Sequence, residues 1–205
     1  MVTVTEQAIK PTRRGRATQD AIDAAARKVI AEKGFLKMTV ADIVKEAGKS
    51  PASFYNYYDS KEALMESWAR QFQLEARTRA AAYERSGTTR ARVEAAARAH
   101  WETYRDHLAE MVGVYQLAMI NDDFAQVWDE VSREAVDGIS QGIVLAQKKG
   151  YCPGHDAELV ARAIVAMMQQ FCYDNLAAGR AETADDEACI ATLTEIWYRS
   201  VFWTE

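Results

Sequence analysis

Phe54, Tyr55, Asn56, Tyr57 and Tyr58 place four aromatic rings and one carboxamide in five consecutive residues, behind Lys49-Ser50-Pro51-Ala52-Ser53 and ahead of Asp59-Ser60-Lys61. An asparagine carboxamide can pair with N7 and N6 of adenine, a serine hydroxyl can address several base edges, and tyrosine hydroxyls commonly hold phosphates. Small Ala52 and Ser53 permit close approach. Lys61 falls in the first turn of the next predicted helix, where a cation opposes the helix dipole unless an anion is gripped there together with the free backbone N–H groups. The set suits the major groove of a duplex.

Other chemistry finds less support in the residue pattern. His100, His107 and His155 are scattered, and only the first two share a helix, seven apart with no third ligand, so no metal site is expected. No nucleophile elbow or phosphate loop is present, and no catalytic residue and no cofactor are expected. Cys152, Cys172 and Cys189 are odd in number and lack CxxC spacing, which reads as buried, reduced thiols, with a redox sensor as the alternative. The apolar segments are interrupted by charge well before about 18 residues, and the N-terminus lacks the apolar middle of a signal peptide, so the expected location is the cytoplasm, with no membrane association.

The net charge of −5 is unevenly distributed. Residues 1–62 carry 11 Lys and Arg against 8 Asp and Glu, whereas residues 63–205 carry 14 against 22. Within the first 16 residues Lys10, Arg13, Arg14 and Arg16 face only Glu6. That stretch reads as a flexible basic arm over residues 1–17.

The elements that must position these groups are helical. With three prolines and apolar spacings of three and four, the pattern predicts an all-α chain of about nine helices. Ile22, Ala25, Ala26, Val29 and Ile30 form the inner stripe of a first helix over 18–33, capped by Thr18 and stopped at Gly34. Thr39-x-x-Asp42 opens a second helix ending at Gly48, and Ser50-Pro51 opens a third. Asp59 or Ser60 caps a fourth, running to about Arg85. Later helices are expected near 89–107, 109–120, 123–149, 156–178 and 184–203, the last capped by Thr183-x-x-Asp186.

The second and third helices with their glycine turn form a helix-turn-helix pattern. A third helix of about seven residues is too short to persist alone and must be held by packing, which Phe54 and Tyr58 can supply against Ile43 and Ala47. Pro51, Ala52, Ser53, Tyr55, Asn56 and Tyr57 then face outward. Residues 18–65, and "TVADIVKEAGKSPASFYNYYDSKEALM" at 39–65 above all, resemble the DNA-binding domain of the tetracycline-repressor (TetR) family. Thr39, Ala47, Gly48, Ser50, Tyr55, Tyr58, Lys61, Glu62 and Leu64 match that pattern, while Lys49 stands where the family usually has a small apolar residue.

The resemblance implies a three-helix DNA-binding domain over 18–62 and a larger helical domain over 63–205 that dimerises and holds a ligand. DNA contacts are expected from Arg13, Arg14, Arg16, Thr39, Lys49, Ser50, Pro51, Ser53, Tyr55, Asn56, Tyr57 and Lys61. The last two helices are apolar on more than one side, and Ala161, Ile164, Val165, Met168, Ile190, Leu193, Trp197 and Val201 are the expected dimer interface. Bulky residues on neighbouring helices suggest a lipophilic cavity. Trp68, Phe72, His100, Trp101, Tyr104, Tyr115, Met119, Phe124, Trp128, Met167, Phe171 and Asn175 are its candidate lining, with Gln116 as a further polar handle.

The function expected is a homodimeric repressor that binds a palindromic operator on double-stranded DNA and is released by a lipophilic or aromatic small molecule. Alternatives are an activator, a corepressor-dependent regulator, a thiol-switched repressor, or a helical carrier that retains the head as a relic.

Overall fold

The computed structural model describes residues 13–83 and 87–204, with side chains from Gly15 onward in the first helix. Among the described residues nine α-helices follow one another: α1 (Arg13–Lys33), α2 (Val40–Glu46), α3 (Pro51–Tyr55), α4 (Lys61–Tyr83), α5 (Thr89–Asp106), α6 (Leu108–Ile120), α7 (Asp122–Gln147), α8 (Ala157–Leu176) and α9 (Asp186–Val201). Short 3-10 turns occupy Phe35–Lys37 and Arg180–Glu182, and the described residues contain no strand. The all-α expectation holds. The chain divides between Leu64 and Met65 into two compact units.

In the first unit, α1 packs on α2 and α3 around Ile22, Ala26, Ile30, Phe35, Met38, Ile43 and Phe54, all buried. The helix starts follow the sequence signals closely. Thr39 Oγ1 accepts from the Asp42 N–H at 3.1 Å while Asp42 Oδ2 accepts from the Thr39 N–H at 3.1 Å, a reciprocal cap that fixes the entry to α2. Gly48 adopts φ +61°, a left-handed conformation that glycine reaches without strain, and turns the chain into α3. Ser60 Oγ accepts from the Ala63 N–H at 3.1 Å and caps α4.

Two boundaries differ from the sequence reading. α1 begins at Arg13 rather than Thr18, because arginine and alanine favour helix and a single glycine is tolerated. Arg13, Arg14 and Arg16 therefore ride on the first turns of a helix rather than on a free arm; Lys10 and the side chains of Arg13 and Arg14 lie outside the described residues. The cap of α9 is Asp185, which accepts from the Ala188 N–H at 3.0 Å, while Thr183 closes the preceding 3-10 turn.

In the second unit α7 packs along α8, and α5 along α9. Three arginines on one face of α5 set the register of that second pair: Arg90 meets Glu195, Arg98 meets Glu187, and Arg105 meets Asp186. Exposed ion pairs contribute little each, typically about 0–1 kcal/mol. The apolar contacts carry the stability, with Trp101, Tyr104, Met111, Ile143, Cys172, Leu176 and Leu193 in one buried cluster. Trp101 Nε1 donates to Asp186 at 2.9 Å, so the ring is anchored at its polar end.

His107 joins three helices at the α5–α6 corner, with Nε2 3.0 Å from Glu75 on α4 and Nδ1 3.2 Å from Glu110 on α6. Glu110 raises the imidazole above its ordinary value of 6.5, with burial opposing and Glu75 adding to the rise. A raised folded-state value means the stabilisation is complete below 6.5 and disappears as pH climbs through the folded value. Denaturant midpoints should therefore fall as pH rises above 6.5 and through the raised folded-state value. His107→Gln should flatten most of that slope; an unchanged slope would show that the corner does not titrate with folding.

Candidate nucleic-acid interface and ligand cavity

The outward edge of α3 is held from behind by two rings. Phe54 is fully buried. Tyr58, buried to 6% exposure, donates its hydroxyl to Asp23 Oδ1 at 2.7 Å and accepts from Gln19 Nε2 at 3.1 Å, both on α1. Burial pushes the Asp23 carboxyl above its ordinary range, and the Tyr58 hydrogen bond partly opposes that. A five-residue helix has no stability of its own, so these contacts fix its position.

In front of the rings, Lys49, Ser50, Pro51, Ala52, Tyr55 and Asn56 are exposed. Ser50 caps α3 by accepting from the Ser53 N–H at 3.3 Å, and the two serine hydroxyls lie 3.0 Å apart. Tyr55, 54% exposed, stands edge-on to Phe54 with ring centroids 5.5 Å apart, so it projects outward from a packed base. Asn56 ends the helix as its exposed C-cap. Thr39 stands exposed at the start of α2 beside Asp42, whose carboxyl is held down to about 2 by Lys33 and Thr39. This is a polar, small-residue surface with donors and acceptors for base edges and phosphates.

A cavity of 260 Å³ lies in the second unit among α4, α5, α7, α8 and α9. Its walls are mainly alanine, Ile139, Val165, Met168 and Trp197, and its polar lining is Gln73, His100, Gln169 and the Arg77–Glu134 ion pair. Burial lowers His100 to about 4, so its imidazole is neutral at physiological pH. From His100 a chain of rings runs inward: Phe72 and His100 at 5.4 Å, His100 and Tyr104 at 6.2 Å, Tyr104 and Tyr115 at 6.2 Å, Tyr115 and Trp128 at 5.5 Å. Among the described residues no hydrogen-bond partner meets His100 Nε2, Tyr104 OH, Tyr115 OH or Gln116 Oε1, all buried. Burial raises both tyrosines well above their usual value.

Comparison with known proteins matches each unit to a described domain. Residues 22–67 match "Bacterial regulatory proteins, tetR family", and residues 93–203, more than half of the chain, match "Transcriptional regulator EthR, C-terminal domain". The chain belongs to the TetR family. It is 29% identical over 151 residues to the HTH-type transcriptional regulator BetI of Rhizobium meliloti, covering 72% of this chain and 71% of that protein. It is 22% identical over 186 residues to the HTH-type transcriptional regulator EthR of Mycolicibacterium smegmatis, covering 90% and 86%. The crystal structure of FadR from Bacillus subtilis, in complex with stearoyl-CoA, shares the fold at a TM-score of 0.75 with 18% identity, covering 89% of this chain and 99% of that one. The first unit is thus the helix-turn-helix of a TetR-family transcriptional regulator.

Several expected site residues take other positions in this TetR-family chain. Tyr57 is half-buried and donates to the Gly15 carbonyl at 2.9 Å, which ties α3 to α1 and commits the hydroxyl proton that a phosphate would need. Lys61 Nζ donates to the Phe35 and Met38 carbonyls at 3.3 and 3.1 Å and sits 4.4 Å above the Phe35 ring. Its cost at a helix start is met by those carbonyls, leaving one N–H for an anion. Ser53 is half-buried and Arg16 exposed.

Of the expected cavity lining, only His100 borders the cavity itself. Phe72, Tyr104, Tyr115 and Trp128 form the ring chain behind it, and Trp68 and Phe124 are buried elsewhere in the unit. Trp101 is a core residue bonded to Asp186, with Phe171 6.1 Å away. Met167 is half-buried, and Asn175 donates to the Phe171 carbonyl at 2.8 Å, which occupies its amide locally. Met119 is 81% exposed and faces away. Because α6 is apolar around its whole circumference, spacing could not tell its inner side from its outer one.

The expected dimer set is also displaced. Ala161, Ile164, Met168, Ile190, Leu193, Trp197 and Val201 are buried within their own chain, and half-buried Val165 lines the cavity. The outer faces of the same helices carry Leu159, Ala163, Ala166, Tyr173, Ala191 and Ile196, all exposed. Sequence reading missed Gln73, Arg77, Glu134, Gly138, Ile139 and Gln169 as cavity lining. Gly138 and Gly142, one turn apart inside α7, were the available signal, since mid-helix glycine destabilises by about 0.5–1 kcal/mol relative to alanine. Cys172 and Cys189 have thiols raised by burial, which disfavours the reactive thiolate.

If α3 is held by its rings, Phe54→Ala should destabilise the first unit by about 3–5 kcal/mol in denaturant titrations of the full chain. A loss below about 1 kcal/mol would mean that other contacts position the helix.

Proposed function

We propose that this TetR-family regulator is a homodimeric repressor that binds a palindromic operator and is released by a lipophilic small molecule. The observation that carries the DNA-binding half is the exposed edge Lys49–Asn56, polar in front and anchored behind by Phe54 and Tyr58. Lys49, Ser50, Pro51, Ser53 and Asn56 approach base edges, while Thr39, Tyr55 and the spare N–H of Lys61 meet phosphates. Arg13, Arg14 and Arg16, at the start of α1, track the neighbouring backbone or minor groove.

Dimerisation uses the outer faces of α8 and α9. Leu159 is 68% exposed and Ile196 48%, and the small residues Ala163, Ala166 and Ala191 between them let a second pair of helices approach closely. A two-fold assembly also suits a palindrome, because paired recognition helices must reach major grooves about 34–36 Å apart. The reading places the protein in the cytoplasm; no described helix is long and apolar enough to cross a membrane.

The apolar cavity in the second unit supports a lipophilic effector, as does the likeness in fold to a regulator crystallised with stearoyl-CoA. α4 supplies cavity residues Gln73, Ala76, Arg77 and Ala80, and its first turn belongs to the DNA-binding unit. A ligand that prefers one setting of α4 therefore changes DNA affinity without touching the DNA surface, provided that it binds the two settings unequally.

The test is a binding-site selection from random duplexes, followed by anisotropy titration of the selected operator. Asn56→Ala should relax preference at one base-pair position by about 1–3 kcal/mol, whereas Lys61→Ala should weaken all sequences alike and reduce the salt slope by about one. An Asn56→Ala variant with unaltered preference would remove the base-reading assignment. Ala163→Arg, on an exposed helical position that accepts arginine readily, should give monomers in sedimentation and cut operator affinity by about a hundredfold or more. A dimeric, fully active Ala163→Arg protein would place the interface elsewhere.

A further inference from the structure

The inner cavity shares part of its wall with a second space. Ala96, Gly138, Ile139 and Trp197 line it and also line a second, larger cavity of 630 Å³ between α5, α7 and α9. The inner space alone, at 260 Å³, is smaller than the roughly 300–1,000 Å³ of sites for drug-sized ligands. Joined through the shared wall, the two fall inside that range. A Cβ built at Gly138 meets nothing within 4 Å, so this part of the shared wall adjoins open space.

The polar chemistry of the inner end is neutral. Arg77 and Glu134 satisfy each other at its border, and the remaining polar lining is Gln73, Gln169 and His100. His100 Nε2 is buried and unpartnered among the described residues, and a buried polar atom without a partner forfeits about 1–3 kcal/mol. A group that bonds it recovers this. A carboxylate or ammonium placed at His100 would be desolvated while the charges of Arg77 and Glu134 are engaged with each other, which is more costly than burying a neutral hydroxyl, ketone or amide.

We infer that the effector is an elongated, uncharged amphipath whose polar end bonds His100 Nε2 and whose apolar body passes between Gly138 and Trp197 into the outer groove. The inference rests on the ligand-responsive reading above and names its ligand class. Trp197 in the shared wall serves as the reporter. Full-length protein is titrated with 1-decanol, decanoate and the shorter 1-hexanol, following tryptophan emission, with operator affinity measured on the same samples.

Decanol should bind at least about tenfold more tightly than decanoate, and His100→Phe should erase most of that margin. Gly138→Leu fills the passage while improving helix propensity, so it should fold. It should weaken decanol by about tenfold or more yet leave 1-hexanol within about threefold. Decanoate binding as well as decanol, Gly138→Leu leaving decanol unaffected, or a DNA-competent protein that ignores both long probes would each overturn the inference. Decanol that binds beside Trp197 without altering operator affinity would uphold the site and instead sink the ligand-responsive reading.

Discussion

The whole nucleic-acid surface depends on a helix that cannot exist by itself. Five residues of α3 make too few internal hydrogen bonds to offset nucleation, so its orientation is a property of what lies behind it. Phe54 supplies apolar burial, and Tyr58 adds a directional element by hydrogen-bonding to α1 through Asp23 and Gln19. Tyr57 repeats the device one residue earlier through the Gly15 carbonyl. Three of the four rings in this segment thus hold the helix, and Tyr55 alone projects. The aromatic density that looks like recognition chemistry is mostly anchoring chemistry, and it is the anchoring that lets small residues such as Ser50 and Ala52 present a defined edge.

The second unit solves a different problem. Its long helices are stable by burial, so the polar contacts set register rather than supply stability. Arginines on α5 meet acids on α9 at three successive levels, and Asp186 is shared between Arg105 and Trp101. A one-turn slip of α9 would break all three pairs and leave the buried indole N–H of Trp101 without an acceptor. Such a frame can hold a cavity at its centre, because the walls are fixed by contacts at the periphery.

Much of this was legible from residues alone. The reciprocal cap of Thr39 and Asp42, the Ser50-Pro51 start and the Gly48 turn are local signals, decided within four residues of chain, and the helices they predicted are present. The inward turn of Phe54 and Tyr58 followed from spacing plus the brevity of α3. What failed was any question of which of two apolar faces points inward. α8 carries Ala161, Ile164 and Met168 on one side and Leu159, Ala163 and Ala166 on the other, and periodicity ranks both as buriable. Only the placement of α5 and α7 decides between them. The role of Lys61 was equally out of reach, since its acceptors, the Phe35 and Met38 carbonyls, lie more than twenty residues away in the chain.

The residues that the pattern could not place share a physical character. Around the cavity the chain departs from the rules of an ordinary helical core: two glycines interrupt α7, and among the described residues a buried histidine nitrogen and the two tyrosine hydroxyls behind it have no partner. Each departure lowers stability, by about 0.5–1 kcal/mol for a glycine and about 1–3 kcal/mol for a buried unpartnered group. Scattered through a bundle they would be defects, but here Gly138 and His100 border one space, Gly142 lines the adjoining one, and Tyr104 and Tyr115 stand in the ring chain behind His100. Interactions left unspent beside such a space are available to a bound molecule but not to further packing. Loss of packing at the cavity and capacity for a ligand are therefore the same feature of the sequence, and the first glycine to test is the one that lies on both sides of the shared wall, Gly138.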